Sequence, residues 1–350
     1  MKKHSIKSIL KLFGICILCL LPGCQSEEAE DTSGPEYYAY EAVTEIKDDQ
    51  PDVYVILKVL TSQYWQDIVK GITDAGIETG VNVYIGAAVG ESDWQEQQLL
   101  LEQAEAAGAD AIMLAPGNSS ALCKHVNELH NKGIPVILVD TILNDTESFD
   151  TCYMTDNLRA GELAAEEMIR LLETKGLSEN ESASIAIQIA SVSSQTVIDR
   201  LAGFNQYWSI HAPKKWTVLD EVKANDGDMD VAKQNCIDFL EKYPDLKGLF
   251  GCNNSSTVGF VNGLTQSGRK DVVLIGFDYA DETAQLVASE DWQASAVVQS
   301  QYDMGYEGLK KAVELMDKKE TDYKFIDTGT RVINRENHTE YEQSAMGEAK

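Results

Sequence analysis

The chain has few basic residues, few prolines and no hydrophobic run long enough to span a membrane. Its 29 lysines and arginines are outnumbered by 57 acidic residues, and the formal net charge is −28. A surface this acidic argues against nucleic-acid binding, which needs basic patches, and it is repelled by anionic lipids. Attachment to a membrane would therefore require a specific anchor.

The motifs of common catalytic and metal sites are also missing. The five histidines follow no metal-ligand pattern, and no P-loop or Gly-x-Ser-x-Gly motif occurs. Residues 226–230 resemble the start of a calcium loop, but Ile237 stands where its bidentate glutamate belongs. Asp228 is instead predicted to cap the helix that follows. We therefore predict no enzyme activity, no cofactor and no metal site.

The N-terminus has the features of a secretory signal. Four lysines precede an apolar stretch at residues 12–21 that is too short for an ordinary membrane span. The sequence Leu-Pro-Gly-Cys24 follows and resembles the bacterial lipobox, although its proline is unusual there. That resemblance implies a signal peptide at residues 1–23, a lipid on Cys24, and a location on the outer face of the cell membrane. An uncleaved N-terminal membrane anchor is the alternative.

Four cysteines would remain beyond the lipid-bearing one, namely Cys123, Cys152, Cys236 and Cys252. Their scattered spacing includes no Cys-x-x-Cys pair, so no zinc site is indicated. We interpret them as small apolar residues of strands and helix faces. Whether two of them form a disulfide is left open.

Two polar segments flank a folded region. Residues 24–51 contain nine acidic residues and one lysine without a strand or helix period, which predicts an acidic flexible tether. Residues 338–350 are predicted to form a flexible tail.

Between these segments, apolar runs of strand length alternate with amphipathic helical patterns, as expected of right-handed βαβ units in parallel sheets. About ten strands are too many for one compact sheet of this length, so two lobes are predicted. The predicted strands lie at residues 53–59, 81–85, 109–114, 134–139, 184–189, 217–219, 246–251, 272–277 and 294–299.

Several landmarks occur in a fixed order along this region. Tyr64-Trp65 follows the first strand, Gly-Phe277-Asp278 ends a later one, and Gln299 ends the last. From about residue 53 to residue 332 the chain resembles the ribose/galactose-type substrate-binding proteins of bacterial ABC importers. The resemblance implies the type I periplasmic-binding-protein fold, an α/β fold in which two doubly wound parallel-sheet lobes are joined by a three-strand hinge. On that pattern lobe one is 52–156 plus 300–325, and lobe two is 157–299 plus 326–337.

Candidate ligand-binding residues lie at the carboxyl ends of strands, where open parallel sheets bind their ligands. A sugar presents hydroxyl groups and apolar ring faces, so it needs carboxylates, amides and aromatic rings. The predicted ligand-binding residues are Tyr64, Trp65, Asp140, Asn253, Phe277, Asp278 and Gln299.

The chain departs from the resembled family at two arginine positions. Many sugar-binding relatives carry arginine directly after the aspartate, where this chain has Thr141, and often another in the region aligned with residues 195–198. Because two multi-donor cations are missing, the ligand is left open among pentoses, hexoses, polyols and furanosyl signals. Gln195, Asn225 and Asp228 are candidate substitutes.

These features together predict an extracytoplasmic solute-binding lipoprotein. It would capture a small polar ligand, a monosaccharide, between its lobes and deliver it to an ABC-type importer. The alternative is a ligand sensor that reports to a membrane histidine kinase or chemoreceptor. We expect a monomer whose partners are the ligand, a membrane permease or kinase, and the lipid anchor.

Overall fold

The computed structural model describes residues 40–317 and 324–348, and the predicted lipidation site at Cys24 lies outside these ranges. The described residues form two α/β lobes, each built on its own sheet. The predicted alternation of strands and helices is confirmed.

Lobe one contains a sheet whose order is β1-β3-β2-β4-β5-β6-β12. Neighbouring strands are parallel except β1 and β3. These strands are β1 (Glu41–Ala42), β2 (Asp52–Leu57), β3 (Asn82–Ala87), β4 (Ala111–Leu114), β5 (Val136–Val139), β6 (Thr151–Met154) and β12 (Phe325–Asp327). The helices of this lobe are α1 (Gln63–Thr79), α2 (Trp94–Ala107), α3 (Cys123–Asn131) and α9 (Gln301–Asp317).

Lobe two contains a sheet whose order is β13-β11-β10-β9-β7-β8, and β13 is antiparallel to β11. These strands are β7 (Ala183–Ile189), β8 (Trp216–Ala224), β9 (Leu246–Gly251), β10 (Val273–Phe277), β11 (Ala294–Gln299) and β13 (Thr330–Ile333). The helices of this lobe are α4 (Asn157–Thr174), α5 (Gln195–His211), α6 (Met229–Lys242), α7 (Asn254–Ser267), α8 (Asp281–Ala288) and α10 (His338–Glu348).

Both faces of each sheet are covered, which is why the central strands read as continuous apolar runs. In β2, Val53 and Val55 pack in one core cluster, whereas Tyr54 and Ile56 pack in another on the opposite face. Successive side chains of a strand point to opposite faces, so one strand serves both clusters.

Glycines allow the first two helices of lobe two to cross closely. A Cβ atom on Gly161 of α4 would lie 2.1 Å from the backbone oxygen of Arg200, and one on Gly203 of α5 would lie 2.0 Å from that of Leu158. Larger residues at either position would push the helices apart. This contact fixes α5, the helix that carries Arg200.

The two lobes share one strand order. Five strands follow the order β3-β2-β4-β5-β6 in lobe one and β8-β7-β9-β10-β11 in lobe two. The chain crosses between the sheets near residues 155, 299 and 328. The predicted boundary placed the third crossing after residue 325. Because β12 belongs to the sheet of lobe one, the crossing instead follows Asp327.

Three further segments differ from the predictions. Residues 40–51, predicted as tether, instead pack along lobe one, with β1 paired to β3. The helix α10 lies where a flexible tail was predicted. The strand β6 was not predicted because it is only four residues long and includes a polar threonine.

Four cysteines in the described ranges are free thiols, so no disulfide joins them. Cys152, Cys236 and Cys252 are fully buried among apolar side chains, as predicted for small core residues. Burial raises the pKa of the Cys236 thiol to about 12. None of the helices in the described ranges is long and apolar enough to cross a membrane.

Candidate ligand-binding site

A cleft lies where the carboxyl ends of strands from both sheets face each other. Its cavity volume is only about 30 Å³, so its walls lie close together. Six of the seven predicted ligand-binding residues line it: Tyr64, Trp65, Asp140, Asn253, Asp278 and Gln299.

Asp140 is the centre of a buried hydrogen-bond network. It follows β5 in the left-handed region, with φ of 64°, a conformation that aspartate tolerates better than most residues. Lys58 Nζ donates to its Oδ2 at 2.7 Å, and Tyr64 donates to its Oδ1 at 2.5 Å. Thr141 Oγ1 also donates to Oδ2 at 2.6 Å. Burial alone would raise the pKa of Asp140, but the Lys58 charge and these hydrogen bonds lower it.

Asp278 occupies the equivalent place in lobe two. It follows β10 and also has a left-handed backbone, with φ of 66°. Its Oδ1 accepts hydrogen bonds from Gln299 Nε2 at 2.9 Å and Gln301 Nε2 at 3.3 Å. Among the described residues, its other oxygen accepts none. Burial raises the pKa of Asp278 to about 7, because the opposing effects of Arg200 and Gln299 are smaller.

Arg200 and Gln299 line the cleft close to the places where the chain crosses between the two sheets. Arg200 Nη2 donates to Gln299 Oε1 at 2.6 Å, and its Nε donates to Asn157 Oδ1 at 2.8 Å. The guanidinium carbon lies 3.8 Å from the centre of the Phe277 ring. Phe277 is fully buried in the core of lobe two and does not line the cleft, so the structure does not bring it together with the other predicted residues. Phe277 is the last residue of β10, whereas Asp278 lies just beyond the strand and lines the cleft.

Two amide oxygens in the cleft have no hydrogen-bond donor within the described chain. These are Asn253 Oδ1 and Asn254 Oδ1, both buried, at the start of α7. The amide nitrogen of Asn253 donates to Ser255 Oγ at 2.8 Å, which fixes the side chain. A buried acceptor without a donor is costly, and such groups in native proteins call for an explanation. A ligand hydroxyl in the cleft would supply the donors.

Aromatic rings from the start of α1 form part of the wall of lobe one. The rings of Tyr64 and Trp65 are perpendicular, with centres 5.0 Å apart. Glu91, in the loop after β3, lines the cleft beside Trp65. Burial raises the pKa of Glu91, and Asp140 and Asp226 add to this effect, whereas Lys58 opposes it.

Several residues of the cleft were not predicted from the sequence, chiefly Lys58, Glu91, Thr196 and Asn254. Lys58 matters most because it places a cation beside Asp140. The resembled family has an arginine for this at the position of Thr141. The signal for Lys58 was a lysine inside an otherwise apolar strand run. Asn254 stands beside the predicted Asn253 and could have been included.

The three candidate substitutes do not line the cleft. Gln195 donates through its side chain to Asp199 at 2.7 Å. Asn225 donates to Ser256 Oγ at 2.7 Å. Asp228 accepts from the backbone N–H groups of residues 230 and 231, which confirms its predicted role as a helix cap.

Known proteins are similar in sequence over most of the chain. The D-allose-binding periplasmic protein of Escherichia coli (strain K12) is 27% identical over 272 residues, covering 74% of this chain and 83% of that protein. The ribose import binding protein RbsB of Bacillus subtilis (strain 168) is 25% identical over 252 residues, covering 71% and 75%.

Solved structures agree closely as well. A carbohydrate transporter solute-binding protein from Agrobacterium radiobacter, in complex with D-arabinose, has a TM-score of 0.79 and 27% identity, covering 85% of this chain and 99% of that one. An ABC transporter solute-binding protein from Agrobacterium vitis, with bound D-fucose, has a TM-score of 0.76 and 29% identity, covering 84% and 98%. The predicted type I fold is confirmed. Residues 53–320 match the family described as periplasmic binding protein domain, and the chain belongs to that family.

Proposed function

We propose that this protein captures a neutral monosaccharide between its lobes and delivers it to an ABC-type importer. One observation carries the proposal. The amide oxygens of Asn253 and Asn254, which lack donors within the described residues, belong to the same cleft as the rings of Tyr64 and Trp65. Hydroxyl donors and apolar ring faces on one small molecule would satisfy both.

The charges of the cleft favour a neutral ligand over a phosphorylated or carboxylated one. Lys58 is paired with Asp140, and Arg200 donates to Asn157, Gln299 and the backbone oxygen of Cys252. Both cations are thus engaged by the protein itself. An anionic ligand would need a cation that is free to pair with it.

The names of the relatives support transport over sensing. The relatives above are called import binding or periplasmic binding proteins, and the two structures contain D-arabinose and D-fucose. A sensor that reports to a histidine kinase is the weaker alternative. Genes for a permease and its ATPase beside this one would favour the importer.

The proposal includes no catalytic step, because the cleft positions hydrogen-bonding groups without a paired nucleophile and base. It includes a lipid on Cys24 that holds a monomeric binding protein on the outer face of the membrane. The acidic surface offers no other affinity for lipids.

A melting screen with D-ribose, D-allose, D-arabinose and D-fucose tests the proposal on the chain from residue 25 onward. A ligand at a hundredfold excess over its dissociation constant adds about 2.7 kcal/mol, which corresponds to a shift of a few degrees. We expect at least one sugar to raise the melting temperature and Asn254→Ala to weaken its binding about tenfold.

The matched control is Asn131→Ala, which changes an exposed amide at the end of α3. It should bind the sugar like the wild type. No shift with any neutral sugar, or equal affinities for both variants, would show that the cleft has another ligand.

A further inference from the structure

Two loops contact each other directly across the cleft. Residues 117–119 follow β4 in lobe one, and residues 193–195 lead into α5 in lobe two; we call them the seam. The backbone N–H of Ser119 donates to the Ser193 oxygen at 3.1 Å. In return, Ser193 Oγ donates to the Gly117 oxygen at 3.0 Å. The lobes therefore exchange hydrogen bonds without an intermediary.

A third contact joins lobe one to the end of a helix in lobe two. The backbone N–H of Gln195, at the start of α5, donates to Ser119 Oγ at 3.0 Å. The first N–H groups of a helix have no partners within it. The N-cap residue of α5, Ser194, makes no capping hydrogen bond with its side chain. Ser119 thus caps a helix that belongs to the other lobe.

Gly117 and Ser194 of the seam line the cleft, whereas Ser119 and Ser193 do not. Ser119 is 2% exposed, and Ser193 is half-buried. Beside the seam, Thr196 of lobe two donates to the backbone oxygen of Asp140 at 3.0 Å. Hydrogen bonds shielded from water are electrostatically stronger than exposed ones.

We propose that the seam is a latch that keeps the lobes closed in part of the population before a ligand arrives. Ser119 and Ser193 are then positioning residues that set affinity without contacting the ligand. When only one conformation binds, the apparent dissociation constant equals the intrinsic constant divided by the fraction of that conformation. A latch therefore changes the affinity for every ligand by one common factor.

Solution scattering from the ligand-free protein tests the latch without reference to any sugar. The double variant Ser119→Ala/Ser193→Ala should have a larger radius of gyration than the wild type, because more molecules are open. The control is Ser209→Ala, an exposed serine of α5 whose hydroxyl donates to Gln206 in its own helix. Equal radii for the double variant and this control would overturn the proposal.

Calorimetric titration with two sugars that bind the wild type provides the second test. It rests on the proposed function. Ser119→Ala and Ser193→Ala should each lower the affinity for both sugars by the same factor of about two to ten. An unchanged affinity, or a change that differs between the sugars, would overturn the latch. If none of the four sugars above binds the wild type, the proposed function fails, and the scattering result alone decides the latch.

Discussion

Asp140 and Asp278 follow equivalent strands of the two lobes and have nearly the same backbone angles, yet their ionisation differs. Lys58 pairs directly with Asp140 and helps to lower its pKa. Arg200 lies near Asp278 but donates to other groups, so burial prevails and raises the pKa of Asp278 to about 7. One carboxylate accepts hydrogen bonds at every physiological pH, whereas the other changes its charge near neutrality.

Asp278 should make the folded protein less stable as pH rises. The folded state holds this proton up to about pH 7, whereas the unfolded chain releases it near its ordinary value of 3.8, so stability falls between these values. Asp278→Asn cannot ionise. We expect its stability gain over the wild type to be larger at about pH 8 than at about pH 5.5, by about 2 kcal/mol.

Urea unfolding of wild type and variant at both pH values measures this difference. The control is Asp245→Asn, which changes an exposed aspartate of a loop. A gain for Asp278→Asn that is the same at both pH values would contradict the raised pKa.

Residues at strand ends could be predicted, but contacts across the fold could not. Asp140 and Asp278 were found because parallel strands place their carboxyl ends at one edge. Lys58 was missed because its partner lies 82 residues further along the chain. Phe277 was included as a third aromatic face at a strand end, but the structure buries it in the core of lobe two.

At the scale of elements, the strand β1 shows how little sequence signal a stable contact needs. Its two residues pair with β3, and just before them the Tyr40 hydroxyl donates to the Leu100 oxygen at 2.8 Å. The Tyr40 ring lies edge-on against Tyr54, with centres 4.8 Å apart. Thr44 accepts from the Val83 N–H at 2.9 Å. These contacts are spread through an acidic segment without a period, so composition predicted a tether.

Removal of this segment should destabilise lobe one. A protein that begins at Pro51 loses the Tyr40 packing and the β1 hydrogen bonds and leaves the edge of β3 uncovered. We expect its melting temperature to fall by about 5 °C or more relative to a protein that begins at residue 38. Its sugar affinity should stay unchanged, because residues 40–50 do not line the cleft.

Thermal unfolding of the two proteins gives the comparison, and Tyr40→Ala in the longer one isolates the aromatic contact. Equal melting temperatures for all three would show that β1 contributes nothing to the fold.

At the scale of the whole molecule, β1 determines where the chain enters lobe one. Because β1 is antiparallel to β3, Tyr40 lies beside the carboxyl end of β3, and the loop after that end carries Glu91 into the cleft. The described chain therefore begins at the cleft edge of the sheet.

Attachment should depend wholly on Cys24, since a chain of net charge −28 has no electrostatic affinity for anionic lipids. Cys24→Ser should move the protein from the membrane fraction to the soluble fraction and abolish incorporation of a fatty-acid label. High salt should leave the wild type on the membrane, because acyl chains bind through hydrophobic burial rather than charge. Cys123→Ser, a cysteine of α3, should behave like the wild type. A Cys24→Ser protein that stays on the membrane would indicate the uncleaved N-terminal anchor instead.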